Sequence, residues 1–506
     1  MKEFLTRFQS MIKGHLSCCD RLILQGRLPV LSYAEGATRY LSARGIKIFD
    51  FVSWAKPLTD SIKQHAEAVA QQAGLEIDYV RKKNFRKEDK IERIVRQRGT
   101  HSGLVWVFSA LEPCTTYAPK YSPARKRAYL SAKDKKCLHY YFYFIDEVFG
   151  LCYLRVPTWC PFRLQFYCNL HQWLARQLEA AGISYRLLDN AFVDISDWDK
   201  AQQICDSFDV QQLHERLRHW VQLYCPSQLR DIDESYNWTL DTVEYATDVV
   251  FHWQQDLQPL YQEWIRTAIH TVKPKDIATF LGKKWNGQYQ GEIGNRYNTR
   301  LEGTRLRHNM GMVSIKMYDK FGHVLRIETT VKDVTFFRHY RLVEHRDGIL
   351  QARFAPMKKT IYSLGALREA TMASNTRYLA FLAALADPRP GLEKLRRVTD
   401  RVCLQGRSYR GINFFCAEDA ELLEAIAQGE FCIRGMRNKT LRQHLPNLSA
   451  AQVSRTLKRL RLHGLIKKAS RSYSYYLTPL GRNAIAAGLR LKEFVIRPEL
   501  GEPKAA

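Results

Sequence analysis

The 506-residue chain lacks several features that would indicate particular protein classes. It has no long uninterrupted apolar run, so neither a membrane-spanning nor a secreted protein is expected. None of its 12 cysteines stands in a C-x-x-C relation, which argues against a zinc ribbon or finger and favours reduced cysteines in a cytoplasmic protein. No G-x-x-x-x-G-K-[ST] motif is present, so no helicase-type nucleotide site is indicated.

Acidic residues are scarce relative to basic ones. There are 51 Asp and Glu against 78 Lys and Arg, which gives a formal net charge of +27, although the total charged fraction is an ordinary 25%. Such a surplus favours a polyanionic partner, because Lys and Arg gain free energy by displacing counterions from phosphates. Nucleic acid is the expected partner, and RNA is not excluded. No membrane partner is expected, and a homodimer stays open.

The C-terminal part of the chain contains a clear succession of helix signals. Helices are predicted at 417–428 and 438–445, and Ser449 is a good N-cap for a third at 450–463, before a basic hairpin. This order resembles the winged-helix family of DNA-binding domains. The resemblance implies that the third helix enters the major groove and the hairpin follows phosphates. The residues so assigned are Gln452, Arg455, Lys458, Arg459, Lys467, Lys468, Arg471 and Tyr473. A winged helix that binds protein is the alternative.

Strand-like and helix-like segments mix along the rest of the chain, which predicts an α+β fold with a large mixed sheet and helical insertions. We expect an α+β domain at 1–350 with a helical insertion at about 197–280. A helical connector and linker follow at 351–416, with the linker proper at 386–391, where two prolines and a glycine interrupt the helical pattern. The small winged-helix domain occupies 417–506.

Strict alternation of side chains predicts two paired strands, 313–320 and 324–330, joined by a tight loop. Their polar faces would bring together a phenol, a carboxylate and two cations: Tyr318, Glu328, Lys316 and Arg326. A tyrosine can attack a phosphodiester, but its phenol has a pKa of about 10 and needs a base, a metal ion or cations. Glu328 is a candidate ligand for Mg²⁺ or Mn²⁺. The further phosphate-contacting candidates are Lys320, Arg305 and Arg307.

The segments SIKMYDK and VLRIETTVKD resemble the Y-[DN]-K … LR-[IVL]-E signature of Rep-trans rolling-circle replication initiators and conjugative relaxases, and of filamentous-phage replication proteins. The resemblance implies that Tyr318 nicks one DNA strand and stays attached to the 5′ phosphate, and that Glu328 ligates a divalent metal. The family also uses acidic residues of upstream strands, for which we nominate Asp20, with Glu112 or Glu302 as substitutes.

The sequence therefore predicts a mobile-element protein that nicks and rejoins DNA, as a replication initiator, relaxase or transposase. Two alternatives stay open: a non-enzymatic DNA- or RNA-binding regulator, and a nuclease that uses carboxylates and metal alone. A second acidic cluster contains Asp241, Glu244 and Asp248. We interpret it as a solvated helix face, because Glu244 and Asp248 are one helical turn apart.

Overall fold

The computed structural model describes residues 1–501 except 83–84, 100, 234, 287–288, 301–302, 346, 386–388 and 471. The chain divides into two compact units, Met1–Ala386 and Asp387–Ala506. Among the described helices, none combines the length and the apolar character that crossing a membrane would require.

The first unit combines helices with a large sheet. Its described strands are β1 Ile12–Arg27, β2 Ile77–Tyr79, β3 Gly103–Ser122, β4 Arg127–Asp146, β5 Gly150–Pro157, β6 Leu164–Asn169, β7 Tyr185–Leu188, β8 Ala191–Ile195, β9 Asn237–Phe251, β10 Ile293–Arg300, β11 Gly303–Met310, β12 Val313–Lys320, β13 Val324–Val331, β14 Arg338–Glu344 and β15 Leu350–Pro356. Its described helices are α1 Lys2–Arg7, α2 Ala34–Ala43, α3 Phe51–Gln72, α4 Lys87–Arg98, α5 Leu170–Ala180, α6 Trp198–Asp206, α7 Val210–Tyr224, α8 Gln254–Thr271, α9 Pro274–Phe280 and α10 Leu364–Leu385.

Eleven of these strands form one sheet in the order β10-β11-β12-β13-β9-β1-β6-β5-β4-β3-β2. Neighbouring strands are antiparallel except β2 and β3, which are parallel, so the predicted α+β fold with a large mixed sheet is confirmed. One face packs on the main apolar core. There α10 lies against β9 and β13, where Asn375 Oδ1 accepts a 2.7 Å hydrogen bond from Thr329 and Asn375 Nδ2 donates to Thr247. The opposite face of the central strands is polar and holds the site described below.

The predicted strand pair is confirmed in its register. β12 and β13 pair so that Tyr318 faces Arg326 and Lys316 faces Glu328. The turn between them places Phe321 and Gly322 at positive φ, 56° and 71°. The alternation of side chains therefore predicted both the pairing and the faces of these strands correctly.

The interpretation of 197–280 as a helical insertion is only partly correct. Helices α6 to α9 lie there, but residues 237–251 between them form β9, which pairs with β1 on one side and β13 on the other. Strand formation prevails because Trp238, Leu240, Val243 and Tyr245 are buried and suit a pleated surface better than a helix. The assignment of the acidic cluster to a solvated helix face is wrong for the same reason.

The proposed connector at 351–416 does not form a separate region. Helix α10 packs within the first unit, whereas the residues described from 389 onwards belong to the second. The first three residues of the predicted linker, 386–388, lie outside the described residues. Helix α11 then begins at Arg389 with Pro390 in its first turn, where the missing N–H of proline costs nothing.

The second unit is mostly helical. Its described α-helices are α11 Arg389–Thr399, α12 Ala417–Ile426, α13 Gly429–Arg434, α14 Asn438–His444, α15 Ala450–Leu462, α16 Pro479–Leu491 and α17 Arg497–Leu500, and a π-helical segment Lys492–Ile496 joins the last two. Its described strands are β16 Val402–Leu404, β17 Arg407–Tyr409, β18 Ile466–Lys468 and β19 Tyr475–Leu477.

Helix α15 begins as its sequence predicts. The Ser449 side chain accepts a hydrogen bond from the Gln452 amide, and Gln452 Oε1 accepts one of 2.7 Å from the Ser449 amide, which forms a capping box. Val453, Leu457 and Leu460 are buried in the core of the unit. Strands β18 and β19 pair as an antiparallel hairpin after this helix.

Candidate metal and tyrosine site

Three carboxylates from neighbouring strands converge on the polar face of the sheet. Asp20 on β1, Glu244 on β9 and Glu328 on β13 each offer an oxygen, and these oxygens lie within 4.8 Å of one another. Asp20 reaches this position at an irregularity of β1, where Cys19 pairs with Tyr245 and Arg21 with Glu244. Such a bulge redirects a side chain. A set of carboxylate oxygens suits Mg²⁺ or Mn²⁺.

Tyr318 lies beside this carboxylate triad. Its hydroxyl donates a 2.5 Å hydrogen bond to Glu328 Oε2, and its side chain is almost fully buried. Burial, followed by the neighbouring Glu328 carboxylate, raises the pKa of Tyr318 well above its ordinary value. The phenol is therefore held in its protonated form, with a proton acceptor directly in contact.

Lys316 connects two members of the triad. Its ammonium donates to Glu328 Oε1 at 2.5 Å and to Glu244 Oε1 at 3.1 Å. Burial is the largest influence on Glu328 and would raise its pKa, but the charge of Lys316 together with the hydrogen bonds from Lys316 and Tyr318 lowers it overall. A positive charge thus already bridges two of the carboxylates that a divalent cation would join.

Arg326 lies beneath the triad. Its guanidinium is completely buried and donates to both oxygens of Asp248 at 2.6 Å and to Asp20 Oδ2 at 3.0 Å. Burial would lower the pKa of Arg326, but Asp248 and Asp20 raise it well above its ordinary value. The predicted contact of Arg326 with a phosphate does not fit this burial, because the guanidinium is not exposed to a substrate. It instead holds the Asp248 and Asp20 carboxylates in position.

Asn190 also holds the Asp20 carboxylate in position. Its amide donates to both Asp20 oxygens at 2.8 Å, and its backbone carbonyl accepts from Arg326 at 2.6 Å. Asn190 lies in the turn between β7 and β8, next to Asp189 at a positive φ of 53°. His171, at the start of α5, adds a contact of 3.3 Å between Nδ1 and Asp20 Oδ1. Asp20 is thus held by groups from several elements.

The triad opens into a cleft of about 600 Å³. The predicted site residues that line it are Asp20, Arg305, Lys316, Tyr318, Lys320 and Glu328. Lys320 contacts Asp189 Oδ2 at 3.3 Å and also the Asn190 side chain. Arg307, which pairs with Lys316 in register on β11, is half-buried next to this group. The candidate nucleophile, the candidate metal ligands and three of the cations therefore share one cleft.

Of the two substitutes nominated for Asp20, the structure describes one. Glu112 is remote from the triad and accepts hydrogen bonds from Tyr141 on the neighbouring strand β4. Glu302 lies outside the described residues. Glu244, which helical spacing had placed on a solvated surface, is the third carboxylate instead. The β-branched and aromatic residues around it, such as Val243 and Tyr245, were the available strand signal.

The DNA-binding residues predicted in the second unit have different environments. Arg455, Lys467, Lys468 and Tyr473 are exposed, and Lys468 Nζ lies 5.1 Å from the centroid of the Tyr473 ring. Gln452 belongs to the capping box, and Lys458 lies over the Tyr409 ring. Arg471 lies outside the described residues.

Arg459 is not available in the way predicted. Its guanidinium donates to both oxygens of buried Asp419, at 2.9 and 2.7 Å, and to the carbonyls of Arg410 and Gly411. These contacts hold α15 against α12. The predicted DNA-reading role of Arg459 does not fit these contacts, because its guanidinium is already bound within the unit.

Comparison with known proteins gives no match to a family model, to a curated protein or to a solved structure.

Proposed function

We propose that the protein is a metal-dependent DNA-nicking and rejoining enzyme of a mobile element, with Tyr318 as the nucleophile. The observation that carries the proposal is the tyrosine hydroxyl 2.5 Å from a carboxylate of a three-carboxylate cluster, in a cleft that also presents Lys316, Lys320 and Arg305. A nucleophile, a proton acceptor, metal ligands and cations are the groups that phosphodiester transfer by tyrosine requires.

The residues present fit a divalent cation. Asp20, Glu244 and Glu328 supply only hard oxygen donors, and their oxygens are close enough to share one ion. Asn190 and Arg326 orient Asp20, which is the kind of support that metal ligands usually have. Bound there, Mg²⁺ or Mn²⁺ would supply Lewis-acid stabilisation of the charge that develops on the phosphate.

The proposed reaction needs no further reactant. The Tyr318 oxygen bonds to the phosphorus while the bond from phosphorus to O3′ breaks. The phenolic proton becomes acidic as the new bond forms and passes to Glu328 Oε2, which already accepts its hydrogen bond. The departing O3′ takes a proton from solvent in the cleft, which leaves a free 3′ hydroxyl and a 5′ phosphotyrosine. Rejoining is the reverse: the 3′ hydroxyl attacks the phosphotyrosine, and Tyr318 regains its proton.

For the second unit we propose a winged-helix domain that holds duplex DNA. Support comes from the order of elements, in which helices α14 and α15 are followed by the hairpin of β18 and β19. Arg455 on α15 and Lys467 and Lys468 on β18 are exposed. Phosphate contacts by such cations give affinity without requiring a particular sequence. A replication initiator, a relaxase and a transposase would each combine nicking with duplex binding.

The experiment is an adduct assay. Labelled single-stranded DNA is incubated with the protein and Mg²⁺ or Mn²⁺, then denatured and separated by size. We expect a protein–DNA adduct that requires the metal and is lost in Tyr318→Phe, whereas Tyr121→Phe, at an exposed tyrosine outside the cleft, keeps it. Absence of any cleavage by the wild-type protein would support the non-enzymatic DNA- or RNA-binding regulator instead.

A carboxylate nuclease is the second candidate. The observation in its favour is that Tyr318 is only 7% exposed, so its ring could serve mainly to orient Glu328. In that case metal-activated water attacks the phosphate, and cleavage leaves no adduct. Cleavage that persists in Tyr318→Phe would establish this alternative.

A further inference from the structure

A second cleft continues from the carboxylate triad along the same face of the sheet. It has a volume of about 1250 Å³ and shares Asp20, Arg21, Asp189, Asn190 and Glu244 with the first cleft. The two clefts are therefore continuous. A polymeric substrate that places one phosphate at the triad would extend its neighbouring nucleotides into the second cleft.

The floor of this second cleft carries a row of three tyrosines on adjacent strands. Tyr143 on β4 pairs with Tyr153 on β5, and Tyr153 pairs with Tyr167 on β6. The rings of Tyr153 and Tyr167 are stacked, with centroids 5.1 Å apart and planes 11° apart. Strand pairing thus places the three rings in contact with one another along the cleft that adjoins the triad.

The two ends of this tyrosine row differ in access. Tyr143 is buried under α4, whose Ile91 packs in the same apolar cluster, and its hydroxyl donates to Glu88 of that helix at 3.2 Å. Tyr167 is partly exposed, and the guanidinium of exposed Arg21 lies 5.7 Å from its ring centroid. Tyr167 is therefore the most accessible of the three rings, the Tyr153 ring stacks on it, and the exposed Arg21 guanidinium lies near it.

We propose that Tyr167 and Arg21 form a base-stacking subsite, which takes the unpaired nucleobase of a nucleotide close to the scissile phosphate. A flat aromatic ring beside a cation is the arrangement that binds single strands with little sequence preference. A base in a duplex cannot reach the ring, since its faces are covered by its neighbours. The subsite therefore selects single-stranded or locally melted DNA; this inference rests on the proposed nicking function.

Binding of an oligothymidylate that carries 2-aminopurine residues tests this subsite without metal, and hence without chemistry. Stacking on Tyr167 should quench the 2-aminopurine fluorescence in the wild-type protein and in Tyr167→Phe, which keeps the ring. Tyr167→Leu should lose the quenching and bind the oligonucleotide about 5- to 150-fold more weakly. Arg21→Gln, a change at an exposed residue that leaves the core intact, should also weaken binding, and Tyr33→Leu, at an exposed tyrosine elsewhere, should not.

Binding of a duplex of the same sequence should be equal in all these variants. Unchanged quenching and affinity in Tyr167→Leu and Arg21→Gln would overturn the subsite, even if the wild-type protein forms the Tyr318 adduct. Quenching that depends on Tyr167 in a protein that forms no adduct would keep the subsite and reject the nicking proposal.

Discussion

The Tyr318 hydroxyl and the Glu328 carboxylate are joined across the paired strands β12 and β13 by a hydrogen bond of 2.5 Å. Lys316 binds the other oxygen of Glu328. The same carboxylate therefore faces a candidate nucleophile on one side and a cation on the other, which gives Glu328 two roles in the proposed site.

Removal of a triad carboxylate should weaken metal binding. In Glu244→Gln one of the three candidate anionic ligands is replaced by a neutral amide, and we expect Mn²⁺ affinity to fall about 10-fold or more, as is usual when a metal site loses a supporting group. Titration calorimetry with Mn²⁺ measures this. The matched control is Asp241→Asn on the same strand, outside the triad. Equal affinities for the two variants would contradict the assignment of the triad.

Loss of the buried Arg326 guanidinium should destabilise the first unit strongly. Arg326→Met leaves Asp248 and Asp20 without their cation, and such uncompensated buried charges cost about 3–5 kcal/mol. Urea unfolding followed by tryptophan fluorescence measures the loss. The control is Arg296→Met on β10, where the side chain is exposed. A loss below about 1 kcal/mol would show that the pair is not needed for the fold.

Two buried histidines should make the first unit acid-sensitive. Burial lowers the pKa of His139 to about 4 and that of His308 to about 3. In the unfolded chain both have a pKa near 6.5, so below that pH the unfolded state binds more protons. The contribution of these two histidines to the free energy of unfolding should therefore be fully present above about pH 6.5. It should then fall by about 1.4 kcal/mol per pH unit for each histidine as the pH drops towards 4.

The measurement for these histidines is urea unfolding at a series of pH values. His139→Gln should reduce the slope of stability against pH between 6.5 and 4, and the same change at exposed His252 is the control. A slope that is identical in the wild-type protein and His139→Gln would contradict the assignment of a neutral buried imidazole.

Two arginines on α15 should behave differently. Arg455→Glu, at an exposed position, should weaken duplex DNA binding without lowering the melting temperature. Arg459→Met should instead destabilise the second unit by about 3 kcal/mol, because buried Asp419 loses its main partner. Fluorescence anisotropy with labelled duplex and thermal unfolding of the full chain separate the two effects. Undiminished DNA binding by Arg455→Glu would argue that this face of the second unit contacts protein.

The sequence predicted those parts of the site that depend on local pattern. Alternation is a property of neighbouring residues, so the faces and pairing of Tyr318 and Glu328 could be derived from β12 and β13 alone. Glu244 was missed because its spacing from Asp248 fits a helix as well as a strand. The neighbouring Val243 and Tyr245 favour a strand, and the pairing of β9 with two other strands establishes it.

Other contacts depend on distant parts of the chain and left no sequence signal. Asn190 reaches Asp20 from a turn that is 170 residues further along the chain. The ion pair of Arg459 with Asp419 joins two helices whose packing no periodicity reveals. In both cases the sequence identifies a polar residue but not its partner, since partners are set by how the elements pack.

The most direct test of the proposed reaction is to locate the attached nucleotide by mass spectrometry. The protein is incubated with single-stranded DNA and Mn²⁺, then digested with nuclease and protease. We predict that the peptide containing Tyr318 carries a nucleotide phosphate on that tyrosine, and that Glu244→Gln gives none. A nucleotide attached to any other residue, or cleaved DNA with the Tyr318 peptide unmodified, would contradict the assignment of Tyr318 as the nucleophile.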